Sequence, residues 1–273
     1  MATQSTKKIL KTKLRISKQG RNCAVMAGIC TSGSKVKISV LAGDKFHSIS
    51  KKALNQEKVL FQMFDRVLGP KAGLKDISTL CVITGPGRFT GLRVGLTLAS
   101  VLKALAGITV YSSTLFEILA AQASASKEFR VWASGREKPR VAALVHAFKD
   151  EYFCQVFEAA KHRLRPAGQG AEAAGYGCRA IEAPRWLKDV ELADYIKSFG
   201  KETYVIADAE EKPDIYSLLP GGYEKAPARL SKILPDFIIK TGLAHKNRNL
   251  SPLYLKPAKY ELGNKPHAAG RKS

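Results

Sequence analysis

Apolar residues in this chain recur with two periods, and the switches between them mark its elements. Residues 23–31 open with a continuous apolar run, Cys23-Ala24-Val25-Met26-Ala27-Gly28-Ile29-Cys30. Gly33-Ser34 is a turn signal, and Lys35–Leu41 then alternates, with Val36, Ile38 and Val40 on one side. Gly43-Asp44 is a second turn signal, followed by Lys45–Ser50. Alternation broken by short Gly/Ser/Asp turns predicts an antiparallel meander. The period changes at residue 55. Val59, Leu60, Met63, Phe64, Val67 and Leu68 repeat at i, i+1, i+4, i+5, i+8 and i+9, which is one face of a helix over 55–68. Gly69-Pro70 ends it.

Leu80–Thr84 reads as a short strand, followed by the loop Gly85-Pro86-Gly87-Arg88-Phe89-Thr90-Gly91. A helix with Val94, Leu98, Val101, Leu102 and Leu105 on one face comes next, stopped by Gly107, and Ile108–Tyr111 is again a strand. Strand, helix and strand in that order predict a parallel β-α-β unit. Thr114 suits the N-cap of a helix reaching Ala123. Arg140–Ala147 and Tyr152–Glu158 form a hairpin around Lys149-Asp150, and the Gly/Ala-rich residues 165–180 read as loop. Residues 184–199 read as a helix, 204–207 as a strand, 212–219 as a short helix, 228–243 as a helix with Pro235 near its middle, and 252–256 as extended. No fixed-period repeat occurs, yet two β-rich halves each followed by helices predict two similar lobes.

Composition narrows the class. The 273 residues are 45% hydrophobic and 25% charged, a globular balance. No apolar run approaches about 18 residues, so no membrane span is expected. Lys and Arg total 45 against 23 acids, a net charge of +22, which points to a polyanionic partner such as nucleic acid. Residues 1–22 carry seven basic side chains and no acid, and residues 240–273 carry eight against one. These ends are either solvated extensions or phosphate contacts. The five cysteines (Cys23, Cys30, Cys81, Cys154, Cys178) include no CxxC pair, which favours a reducing compartment over a disulfide or zinc framework. A basic stretch before Cys23–Cys30 imitates a short signal peptide, but eight apolar residues followed by polar Thr31–Lys37 read better as a buried first strand.

The stretch Gly85–Gly95 carries the chemistry. Glycines after a strand let the backbone turn tightly and expose N–H groups at a helix N-terminus, a geometry that can hold an anion. Thr90 could cap that helix, and Gly91 and Gly95, one turn apart, make a flat face that another helix can approach. The pattern is neither GxGxxG nor a Walker A loop. It resembles the Gly-Pro-Gly-Ser-Phe-Thr-Gly-x-Arg-x-Gly of the TsaB (YeaZ) family of tRNA threonylcarbamoyladenosine biosynthesis, with Arg88 in place of Ser. Ser112–Leu115, the hairpin Arg140–Phe157 and Pro252-Leu253-Tyr254-Leu255-Lys256 are similar to family segments in the same order, so the likeness spans roughly residues 23–260. The chain is a divergent relative. Cys30-Thr31-Ser32 stands where the family has Asp-Thr-Ser, His146 replaces Asp and Phe148 replaces Arg in the hairpin, and the family's His after the meander is missing near Gln56.

The resemblance implies an α/β protein with the two-lobed actin-like (ribonuclease-H-like) fold, mixed sheets and flanking helices. The expected division is a basic arm at 1–22, a first lobe at 23–111, a second lobe at 112–262 whose C-terminal helix returns to the first, and a basic tail at 263–273. The implied role is a non-catalytic subunit that pairs with a TsaD-type transferase. A TsaE-type ATPase and tRNA complete the assembly, a homodimer is an option when the chain is alone, and the site of action is the cytoplasm. The chain itself requires no cofactor, while ATP or ADP is expected at the complex interface. Gly85, Pro86, Gly87, Arg88 and Thr90 are candidates for a phosphate or nucleotide contact. Met63, Gly91, Leu92, Arg93, Gly95 and Leu96 are candidates for the partner interface, with packing in the chain's own core as the alternative. His47, His146, His162, His245 and His267 show no ligand spacing and read as surface or packing residues, so neither a metal site nor a catalytic constellation is expected. The competing readings are an active acyl or sugar kinase of the same superfamily, and a stand-alone RNA-binding protein.

Overall fold

The computed structural model describes residues 24–70, 72–163 and 174–256. The expectations for the basic arm and the basic tail lie outside these residues. The predicted meander is present as β1 (Val25–Cys30), β2 (Lys35–Ala42) and β3 (Lys45–Lys52). Helix α1 (Gln56–Leu68) follows, then β4 (Ile77–Gly85), helix α2 (Phe89–Ala106) and β5 (Thr109–Thr114). The sheet order is β3-β2-β1-β4-β5. β1 pairs antiparallel with β2 and parallel with β4, and β4 is parallel to β5. Both β1 and β4 are central, which explains their unbroken apolar runs rather than alternation.

The second half repeats this plan. Helices α3 (Leu115–Ala125) and α4 (Lys127–Ala133) lead into the hairpin β6 (Arg140–Phe148) and β7 (Glu151–Arg163). Then come β8 (Ala174–Ala180), β9 (Arg185–Lys188), α5 (Asp189–Lys197), β10 (Thr203–Ala207) and the two-residue β11 (Glu224–Lys225). The order is β8-β7-β6-β10-β11, again with the first strand central, antiparallel to the second and parallel to the fourth. Two sheets of the same order on one chain are the two-lobed actin-like fold.

Helix α6 (Pro235–His245) closes the chain back onto the first sheet. Its Ile238 and Ile239 are fully buried. A Cβ on Gly28 would lie 2.9 Å from Ile239 Cγ1, and one on Gly242 would lie 2.6 Å from Cys81 Sγ, so small residues on both sides set the close approach. One core cluster runs from Cys81 and Ile83 through Leu115 and Phe116 to Val141 and Tyr204, so the halves share buried apolar area at about 25 cal/mol per Å².

Several expectations need correction. Residues 174–180 are a strand, held by pairing with β7 from Phe157 to Arg163. Residues 185–188 pair with the start of β7, so the helix read over 184–199 begins only at Asp189. Pro235 opens α6 at its first helical position instead of interrupting it, because the N–H it lacks there has no helical partner to lose. Helix α2 is long and apolar enough to cross a membrane by length and composition, contrary to the reading of the runs. It carries Arg93 and Lys103 and packs on β4 through the buried Leu92, Leu96 and Ala99, as a core helix of its lobe.

Candidate functional site

The turn that follows β1, residues 31–34, is the centre of the candidate site. On one side it receives the glycine motif. The Arg88 N–H donates to the Ser32 carbonyl at 2.7 Å. A Cβ on Gly87 would lie 2.5 Å from the Ser32 carbonyl oxygen, and one on Gly95 would lie 2.5 Å from Thr31 Oγ1. Gly91 meets the Thr31 backbone still more closely. The flat glycine face therefore packs on the end of β1, not on another helix. Gln56, at the start of α1, donates from Nε2 to the Gly33 carbonyl at 2.7 Å and pins the turn from the helix side. The C-terminal segment clamps the loop from outside: the Leu253 N–H donates to the Thr84 carbonyl at 2.8 Å, and Tyr254 stacks on Phe89 with ring centroids 5.4 Å apart.

On its other side the turn faces the second lobe. Residues 208–211, just after β10, bring Glu211 against it and Glu210 against Lys35 and Lys37 of β2, with Asp208 buried beside them. Glu211 Oε1 accepts from the Ser34 N–H at 2.6 Å and from Ser34 Oγ at 2.7 Å, while Glu211 Oε2 lies 3.6 Å from the Arg88 guanidinium. Glu210 accepts from Lys35 Nζ at 2.8 Å and pairs through its other oxygen with Lys37. Lys37 is buried and also donates to the Ile233 carbonyl at 3.0 Å. Burial resists ionisation of Glu210, yet the hydrogen bonds and charges of Lys35 and Lys37 outweigh it and hold the carboxyl below its usual range. Asp208 goes the other way. Burial, reinforced by Glu210 and Glu211 and opposed by Lys37, pushes it up to about 6. Burial also pushes the Cys30 thiol upward, so a neutral thiol stands where the family carries an acid.

These residues do not fit the phosphates of a nucleotide. The Ser34 N–H and hydroxyl, both ammonium groups and the guanidinium already face carboxylates of this chain. A Cβ on Gly33 would lie only 2.7 Å from Glu211 Oε1, so the carboxylate is seated against the turn itself. The glycine loop divides accordingly. Gly85 and Pro86 are buried, Gly87, Arg88 and Thr90 are exposed, and the Arg88 N–H serves Ser32. Thr90 does not cap α2, because the helix starts at Phe89 with Arg88 at the N-cap position.

The outer face of α2 faces α1 across a groove of about 430 Å³, lined by Glu57, Phe61, Arg93, Val94, Thr97 and Val101 among others. Phe61 is 54% exposed, Val101 43% and Leu105 84%. Arg93 lies over the Phe89 ring at 3.9 Å. Of the interface candidates, only Arg93 is exposed. Met63, Leu92 and Leu96 are buried in the lobe's own interior, and Gly91 and Gly95 are covered by Thr31. The alternative reading, core packing, holds for these five. The apolar surface open to a partner instead comes from Phe61, Val94, Val101 and Leu105, three of which belong to the apolar stripe read along α2.

The family model for TsaD, tRNA N6-adenosine threonylcarbamoyltransferase, matches residues 52–256, most of the chain. The chain belongs to this family. No curated protein matches the sequence. Among solved structures, YeaZ from Pseudomonas aeruginosa superposes with a TM-score of 0.61 at 16% identity, covering 85% of this chain and 100% of that one. A second structure from the same organism, described as an uncharacterized protein with similarity to peptidase YEAZ, gives 0.60 at the same identity and coverage. At 16% identity this likeness is one of fold, and it agrees with the TsaB (YeaZ) resemblance of the glycine motif. Membership of the TsaD family ties the chain to threonylcarbamoylation of tRNA adenosine. Among the described residues, no three His, Cys, Asp or Glu side chains gather as a metal site would need.

Proposed function

We propose that this TsaD-family chain acts as an accessory subunit in forming threonylcarbamoyladenosine at position 37 of ANN-decoding tRNAs. In this reading the transfer chemistry resides in a TsaD-type partner, and a TsaE-type ATPase supplies the third component. The groove between α1 and α2 carries the proposal. An open apolar surface made of Phe61, Val94 and Val101 on two neighbouring helices suits burial of a partner's helices, with Glu57 and Arg93 at its rim. The same groove would seat a second copy when the chain is alone. The unpaired cysteines Cys30, Cys81, Cys154 and Cys178 suit work in the cytoplasm.

The test co-purifies the full chain with a TsaD-type subunit and measures their affinity for wild type, Phe61→Asp and Val101→Glu. Both positions are exposed, so the variants should fold. A carboxylate in the middle of an apolar contact should weaken association by roughly tenfold to a hundredfold. Folded variants with unchanged affinity would place the interface elsewhere. The chain alone, given threonylcarbamoyl-adenylate and tRNA, should show no turnover, and clear turnover would refute the accessory role.

A further inference from the structure

Five donors of the first lobe face two adjacent acids across the cleft: the Ser34 N–H, the Ser34 hydroxyl and the Arg88 guanidinium face Glu211, and Lys35 and Lys37 face Glu210. A backbone N–H beside a hydroxyl, two ammonium groups and a guanidinium is the donor set of an anion cradle. What fills it comes from this chain. Glu211 takes the turn's N–H and hydroxyl and approaches Arg88, while Glu210 bridges Lys35 and Lys37.

We infer that Glu210 and Glu211 form an internal latch that occupies the cradle in place of a ligand's phosphates, holding the two lobes together without nucleotide. Three features support a built latch over a chance surface pairing. Lys37 is buried, at 6% side-chain exposure, so its charge needs a fixed partner. Glu211 is seated against Gly33, its Oε1 only 2.7 Å from where a Cβ there would lie. The two acids are adjacent in sequence yet contact Ser34, Lys35 and Lys37 at separations of 173 to 177 residues, so both lobes must be in place for the pairs to form. Asp208, buried beside them, accepts from the Glu210 N–H at 3.2 Å and so fixes the backbone of the acidic loop.

The latch predicts that neutralising it unmasks the cradle. The experiment titrates inorganic pyrophosphate into the full-length wild type, Glu211→Gln and Glu210→Gln/Glu211→Gln by calorimetry at low salt, with folding checked by circular dichroism. Glu211→Gln leaves the Lys37–Glu210 pair intact and keeps the test open should the double variant not fold. Pyrophosphate should bind the folded variants at least tenfold more tightly than wild type. Adding Lys37→Met to the double variant, or Arg88→Met to Glu211→Gln, should abolish the gain, which separates the cradle from the basic ends of the chain. Wild-type binding as tight as that of the variants, or a gain that survives the added substitution, would overturn the inference.

Discussion

Gly91→Ala is the sharpest probe of why the glycine motif exists. In an ordinary helix this change stabilises, since alanine is favoured over glycine by about 1 kcal/mol in helix interiors. Here the sign should reverse. The new Cβ would lie 3.1 Å from the Thr31 carbonyl carbon and closer still to its oxygen, and also 3.1 Å from Gln56 Oε1. The obstacle is backbone in the turn just after a central strand, so no rotamer relieves it. Helix α2 would have to move outward, straining the 2.7 Å bond from the Arg88 N–H to the Ser32 carbonyl. Overpacking of this kind typically costs about 1–3 kcal/mol, and loss of one hydrogen bond about 1 more. Against the propensity gain, the net destabilisation should be about 1–3 kcal/mol, or a fall in Tm of roughly 2–4 °C per kcal/mol in a chain of this size. Urea unfolding of wild type and variant measures it. Gly73→Ala, whose Cβ would meet nothing within 4 Å, serves as the control and should change stability little. A Gly91→Ala protein as stable as wild type, or more so, would refute the close-approach explanation of the motif.

Other outcomes follow from single contacts. Asp208→Asn should stabilise the protein at pH 7.5 but not at pH 4. The folded-state pKa of about 6 lies above the ordinary 3.8, so the contribution of Asp208 to stability is greatest below the lower value, falls between roughly pH 4 and 6 and levels off above. A shift of about two units bounds the gain near 3 kcal/mol, reduced by the lost attraction to Lys37, and equal urea midpoint shifts at both pH values would contradict the assignment. Thr114→Ala should cost about 0.5–2 kcal/mol, because Thr114 Oγ1 accepts from the Glu117 N–H at 3.1 Å while Glu117 accepts from the Thr114 N–H at 2.7 Å; an unchanged unfolding free energy would show that this capping box is idle. Near the C-terminal end of α2, Leu105→Glu should leave stability within about 0.5 kcal/mol, since the side chain is 84% exposed, and a large loss of stability would mean that this end of the helix is covered in the free chain.

Much of the fold is legible in the sequence because local period and final environment agree. Val36, Ile38 and Val40 alternate and are all buried on β2, and α1 buries Leu60, Met63, Phe64, Val67 and Leu68 as its spacing predicts. Strand β8 is invisible for the opposite reason. Ala174–Ala180 has no β-branched residue and one aromatic, so only pairing with β7 makes it a strand. Helix α2 shows the limit of periodicity at the site. It is apolar on more than one face, so the sequence cannot tell the buried Leu92, Leu96 and Ala99 from the exposed Val101 and Leu105. The acidic loop escapes entirely. Glu210 and Glu211 read as ordinary surface charge until the fold places Glu210 on Lys35 and Lys37 and Glu211 on Ser34, all more than 170 residues away. His245, read as a surface or packing residue, is exposed as expected, and its Nδ1 lies 3.0 Å from Glu117, a contact that raises its pKa.

The motif and the latch are two sides of one construction. The turn at residues 31–34 touches Gly87, Gly91 and Gly95 on its helix side and Glu211 on its cleft side, with Gln56 pinning it from α1. Helix α2 in turn has an inner face set on that turn and an outer face lining the groove. The glycines place the helix as near the central strand as backbone allows, and this fixes how far Arg93, Val94 and Val101 stand from Phe61 on α1. A substitution that lifts α2 must therefore change the groove as well as the core, whereas neutralising Glu211 releases the cleft side and leaves the glycine contacts in place. The two kinds of variant separate the roles. Loss of partner affinity in Gly91→Ala would reflect geometry carried through one helix, while binding of pyrophosphate in Glu211→Gln would reflect charge uncovered between the lobes.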